Sequence, residues 1–185
     1  DEKTKVDVTT LRNPVEILDC ITGIDKPTSE ICGSITIRAL ALLPAFTLGQ
    51  CATLLLALDK AGAETDVRQF ADGVSESLFC AEFQADDSEG GWRYLEALSF
   101  SLPSLLKENE SLSQMILSGA CDGSQCASIG IVCQGLIGLI RAGILSRHTK
   151  VAVEQLELLG LRLQASASPT DVCRLLIFTV KLLRL

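Results

Sequence analysis

The sequence predicts an all-α chain of antiparallel helical-hairpin repeats stacked as a short α-solenoid. Apolar residues recur with helical periodicity through most of the 185 residues, strand-like alternation is confined to Gly33–Ile37, and no Asn-Gly or Asp-Gly pair separates two alternating runs. Similar apolar helices return about every 40 residues, a spacing typical of helical repeats. Gly62 and Gly143 stand directly after two of these helices, where a left-handed residue closes a helix C-terminus.

Residues 1–12 read as a charged N-terminal extension and residues 13–185 as one helical-repeat domain. The first pair, Asn13–Gly23 and Thr28–Leu43, is the most divergent, as suits a terminal repeat that shields a stack. Next, Thr53-Leu-Leu-Leu-Ala-Leu-Asp-Lys-Ala-Gly62 aligns with Gln134-Gly-Leu-Ile-Gly-Leu-Ile-Arg-Ala-Gly143, and midway between them lies the helix Trp92–Phe100. One step beyond the Cys133 helix comes Cys173–Leu183, which sets Cys173 on Cys133 and Lys181 on Arg141. First helices therefore begin near Cys51, Trp92, Cys133 and Cys173. Second helices are expected at Asp66–Phe79, at Leu102–Leu117 with Pro103 in its first turn, and at Ser146–Leu163. Gln84–Gly91, Ser118–Gln125 and Ala165–Thr170 read as loops. The final helix, Asp171–Leu185, has no partner helix after it. Its apolar run Leu175-Leu-Ile-Phe-Thr-Val180 must pack on the preceding hairpin, on further chain or on another protein, and docking on a neighbour is the expectation.

A net charge of −7 and a pI near 4.7 oppose general affinity for nucleic acid, because phosphate binding depends on Lys and Arg displacing counterions. Aromatic residues are 4% of the chain, too few for the usual base-stacking platforms. The longest apolar stretch, Ala39–Leu58, is interrupted by Pro44, Gly49 and Gln50 and reads as two short helices rather than a membrane span. The charged run Asp1–Asp7 has no signal-peptide core, and opening at Asp1 rather than Met reads as a removed presequence or an incomplete chain. Most of the eight cysteines lie inside apolar helical patterns, where a reduced thiol behaves as a small core residue.

Catalytic and metal patterns are thin. His148, the single histidine, falls in the polar stretch Ser146-Arg-His-Thr-Lys150 and reads as an exposed turn residue; no fixed spacing supports a dyad with Cys121 or Cys126. Cys121, Cys126, Cys133 and His148 lack the close pairs of structural zinc sites. Asp86, Asp87 and Glu89 lack the ligand spacing of a calcium loop, and neither Gly90-Gly91 nor Gly119–Gly123 has the ending of a phosphate loop. The reading assigns no catalytic, cofactor or metal residue, and the chain is not expected to be an enzyme. Lys60, Arg141 and Lys181 share one position near the ends of first helices and could form a row facing phosphate or an acidic partner. Ser101 at that position in the second hairpin favours simple compensation of the helix dipole.

The stretch Cys51–Leu78, an apolar helix ending in Lys60-Ala-Gly62 followed by a helix with a spaced Leu/Phe face, resembles heptatricopeptide and octotricopeptide-like repeats. These occur in organellar proteins of RNA metabolism, including the FAST-kinase-related and RAP-domain families. The resemblance implies a mitochondrial matrix location and a ribonucleoprotein setting. With the acidic balance, it points to a structural or protein-interaction scaffold subunit, such as a lineage-specific mitochondrial ribosomal protein, whose partners are the other protein subunits. Two alternatives are an RNA-binding repeat protein in organellar RNA processing, using Lys60, Arg141 and Lys181 as a basic strip, and an autoinhibitory domain. The latter rests on Leu- and Cys-rich helices similar to those of the gasdermin C-terminal part.

Overall fold

The structure, a computed structural model, describes residues 7–79, 89–122, 127–165 and 168–182. Among the described residues every regular element is a helix. In chain order these are α1 (Pro14–Gly23), α2 (Ser29–Ala41), α3 (Leu48–Lys60), α4 (Glu64–Phe79), α5 (Gly90–Ser101), α6 (Pro103–Glu108), α7 (Glu110–Asp122), α8 (Ile129–Arg141), α9 (Thr149–Ala165) and α10 (Pro169–Leu182). Short 3₁₀ turns occupy Val8–Thr10, Leu43–Ala45 and Leu145–His148. The chain divides into two compact units, Asp1–Gln84 and Ala85–Leu185.

In the first unit, local chemistry sets the helix starts. Asn13 accepts the Glu16 amide at 3.0 Å, the Glu16 carboxylate reaches back to the Arg12 amide, and Pro14 occupies a first-turn position that needs no donor. Thr47 and Gln50 satisfy each other's backbone amides at the start of α3, a reciprocal capping box. That helix stops at Gly62, whose φ of 73° is open to glycine at no steric cost, and the Gly62 amide donates to the Asp59 carbonyl at 2.9 Å. Helices α1 and α2 pack on each other, as do α3 and α4, while α3 also meets α1 and α4 meets α2. Leu54, Leu55, Leu58 and Phe70 are fully buried in this core, and Phe46 meets Phe70 edge-on with centroids 6.3 Å apart. The strand-like alternation at Gly33–Ile37 lies within α2. The end of the charged extension is folded: Val8 is buried against α2, and Arg38 Nε donates to the Leu11 carbonyl at 2.7 Å.

In the second unit, α5 packs most extensively on α8, α8 also packs on α10, and α7 lies against α5. The α5–α8 contact is close because α8 turns glycines toward α5. A Cβ on Gly135 would sit 2.7 Å from Trp92 Cε3 and 3.0 Å from the Trp92 carbonyl oxygen, and one on Gly138 would sit 2.5 Å from Ser99 Oγ. Gly143 ends α8 as Gly62 ends α3, with φ 69° and its amide on the Ile140 carbonyl at 2.9 Å.

Three departures from the sequence-based expectation trace to particular contacts, beside shifts of a few residues at other helix ends. The glycines at 90 and 91 belong to the first turn of α5 rather than to a loop, because α5 meets α7 there; a Cβ on Gly91 would fall 2.8 Å from that of Ala120. The rest of the Gln84–Gly91 loop, apart from Glu89, lies outside the described residues. The same contact, with Ala120 buried, carries α7 on to Asp122, past the expected loop start at Ser118. The single helix expected at Leu102–Leu117 is broken at Asn109. Asn109 leaves helical φ/ψ at the end of α6, and its side chain accepts the Leu112 amide at 2.9 Å, starting α7 afresh.

Candidate functional site

Of the basic row read from the sequence, Lys60 belongs to the first unit, and Arg141 and Lys181 to the second. Lys60 is exposed in the last turn of α3 and lines a cleft of about 400 Å³ with Lys26, Asp25, Ile21, Ile24 and Pro27. Arg141 is exposed in the last turn of α8, its guanidinium carbon 4.7 Å from the centroid of the Phe100 ring. Lys181 lies half-buried in the last turn of α10. Each cation therefore ends a helix, the position at which it offsets the helix dipole.

A charge cluster that the sequence reading missed gathers around Glu96 on α5. Burial pushes its carboxyl upward in pKa, while Arg141 from α8, Arg93 from α5 and Arg174 from α10 draw it back down. Arg93 also pairs with Glu89 at 3.0 Å, and Arg174 lies 4.0 Å from Asp171. Helices α5, α8 and α10 thus contribute arginines and carboxylates to one ionic group. Only the Arg93–Glu96 spacing on one helix face hinted at it in the sequence; the other arginines arrive through packing.

His148 is buried, not exposed as the polar stretch around it suggests. The 3₁₀ turn Leu145–His148 turns the imidazole inward, and Nε2 lies 3.3 Å from Ser113 Oγ on α7. The Ser113 hydroxyl donates to the Glu110 carbonyl at 2.9 Å, so the imidazole N–H is the donor toward Ser113. Desolvation holds the His148 pKa below its ordinary value, with Glu110 raising and Arg147 lowering it. Ser113 is itself buried, so the pair lies in the core between α7 and the Leu145–His148 turn.

Among the described cysteines, Cys32, Cys51 and Cys133 are buried, Cys20 and Cys121 half-buried, and Cys173 exposed. Cys80 and Cys126 lie outside the described residues, as do Asp86 and Asp87. Burial pushes the Cys51 thiol far above its ordinary range and the Cys133 thiol up to about 11. Among the described residues no three or more His, Cys, Asp or Glu side chains gather in a way that could hold a metal ion. Glu89 accepts the Ser128 amide at 2.9 Å and pairs with Arg93. No helix among the described residues is long and apolar enough to cross a membrane.

The most unusual surface is the outer face of α10. Cys173, Leu176, Ile177 and Val180 fall on one face at helical spacing with Val172 beside them; Leu176 is 59% exposed, Ile177 51% and Val180 47%. Phe178 is fully buried on the opposite side. The positions that the sequence spacing aligns with this face differ from it in burial. Cys51, Trp92 and Cys133 are fully buried where Cys173 is exposed, and Leu54, Leu95 and Leu136 are fully buried where Leu176 is exposed. Within the second unit Trp92 lies against Gly135 of α8, and α8, which carries Cys133, packs on α10. Compared with known proteins, the chain matches no family model, no curated protein and no solved structure at a significant level.

Proposed function

We propose that this chain is a non-catalytic helical-repeat scaffold that docks into a larger protein assembly through the outer face of α10. The observation that carries the reading is the contrast along the repeat, in which three copies bury the residues that the fourth exposes. Hairpins of a repeat array bury one another's apolar faces, and α10 presents an apolar face that no described residue covers. Covering its half-exposed Leu, Ile and Val side chains would contribute about 1 kcal/mol each. The packing of α5 on α8 and α8 on α10 supports stacked hairpins as the architecture. The setting implied by the resemblance of Cys51–Leu78 is a mitochondrial ribonucleoprotein, with this chain as a structural subunit among its proteins.

Size fractionation of lysate from cells that make the protein tests this. The chain is expected to migrate with a large assembly, and Leu176→Asp should release it to the size of the free protein. Migration of the unaltered chain as a free monomer would refute the proposal.

The cleft beside Lys60 and Lys26 favours a second reading, contact with RNA phosphates. Filter binding of single-stranded RNA across a salt series decides it. Affinity that falls steeply with salt and drops with Lys60→Ala would support RNA binding, and absence of binding at low salt would end that reading.

A further inference from the structure

We infer that the cleft between the ends of α1 and α3 binds a small zwitterion with an apolar body, the chemistry of a free apolar amino acid. The inference concerns the first unit alone and is independent of the docking reading. The cleft holds about 400 Å³, within the range of small-molecule sites. On the α3 side it is lined by Ala57 and Ala61, small residues one helical turn apart, and larger side chains there would fill it. Ile21, buried, with Ile24 and Pro27, half-buried, completes an apolar lining.

Charges of both signs line the same cleft without satisfying one another. Asp25, Lys26 and Lys60 are all exposed, and none has an ion-pair partner among the described residues. The carboxylate therefore stands more than 4.0 Å from either ammonium group, a gap that a ligand carrying its own ammonium and carboxylate can bridge.

The backbone adds acceptors on the acidic side. Helix α1 reaches the cleft through Ile21 and Thr22 in its last turn, Ile24 leaves in extended conformation, and no backbone amide beyond the helix returns to its last carbonyls. At α3, by contrast, the Ala61, Gly62 and Ala63 amides return to the Ala57, Asp59 and Leu58 carbonyls. Asp25 and the open end of α1 thus suit an ammonium group, Lys26 and Lys60 a carboxylate, and the apolar lining an aliphatic side chain. Contact with RNA phosphates uses only the lysines of this cleft, whereas a zwitterion uses its acidic side as well.

The test titrates three probes into the purified, isotope-labelled full chain and follows backbone amide shifts by NMR. The probes are leucine, isocaproate, which lacks the ammonium group, and isoamylamine, which lacks the carboxylate. Leucine should give saturable shifts confined to residues 21–27 and 57–61, and each analogue should bind about two- to fivefold more weakly, the worth of one exposed ion pair. Lys60→Ala should weaken leucine and isocaproate but not the amine, and Asp25→Asn should weaken leucine and the amine but not isocaproate. Ala61→Leu, which keeps every charge, should abolish the cleft shifts of all three probes while the rest of the spectrum shows the fold intact. Absence of saturable shifts with leucine, shifts centred on the apolar face of α10, or equal binding of leucine and both analogues would overturn the inference and leave docking untouched. Unchanged binding to Ala61→Leu would also overturn it. Cleft shifts with single-stranded RNA but with none of the three probes would overturn it in favour of the phosphate reading.

Discussion

Replacing Gly135 by alanine tests whether α5 and α8 are held together as described. Removing a glycine from a helix interior gains about 1 kcal/mol in intrinsic propensity. At this site the new methyl would lie 2.7 Å from Trp92 Cε3 and 3.0 Å from the Trp92 carbonyl oxygen. The indole is fully buried and the carbonyl is backbone, so neither can turn away, and overpacking of this kind costs about 1–3 kcal/mol. Backbone involvement places the cost at the upper end, leaving a net loss of about 1–2 kcal/mol. Gly160, inside α9, is the internal comparison, since a Cβ there meets nothing within 4 Å. Gly160→Ala should therefore stabilise by about 0.5–1 kcal/mol. Urea unfolding followed by circular dichroism reads both, with a lower midpoint for Gly135→Ala and a higher one for Gly160→Ala. Equal gains at the two sites would show that α8 does not approach α5 as closely as described.

Acid should destabilise the second unit through His148. In the folded chain burial lowers the pKa of the imidazole from 6.5, so as pH falls through that value the unfolded chain takes up a proton that the folded chain resists. Unfolding midpoints measured from pH 8 to pH 5 should decline, and the decline should be shallower in His148→Gln; an unchanged slope would remove His148 as its cause. Alkylation of the purified chain by N-ethylmaleimide, resolved by peptide mass spectrometry, should modify Cys173 first and leave Cys51 and Cys133 last, because the latter two are buried and hold their protons. Equal rates would contradict that burial. Arg141→Ala removes the cation over Phe100 and a charge beside Glu96, and should cost about 0.5–1 kcal/mol in urea unfolding. No change would mean that both contacts are too solvated to matter.

Much of the fold was legible in the sequence because its determinants are local. Apolar spacing and glycine placed α3 and α8 and their left-handed ends at Gly62 and Gly143, and Pro103 marked the start of α6. What escaped depends on partners distant in the chain. Gly91 looks like a loop residue until Ala120 is known to press on it, and His148 looks exposed until Ser113 stands opposite. Asn109 could be read as one more polar residue in a long helix, since only its side-chain bond to the Leu112 amide reveals the break. The candidate docking face was half legible. The sequence marked the last helix as apolar and left open what covers it, and which side remained bare depended on where Phe178 packs.

The same alkylation in two states of the protein measures the central claim most directly. Cys173 lies at the N-terminal end of the apolar face of α10 and is exposed in the isolated chain. Treating intact cells and then the purified protein with N-ethylmaleimide compares that thiol with and without its neighbours. If α10 is a docking helix, Cys173 is protected in the cell and reacts readily once purified. Equal, rapid modification in both would contradict the account.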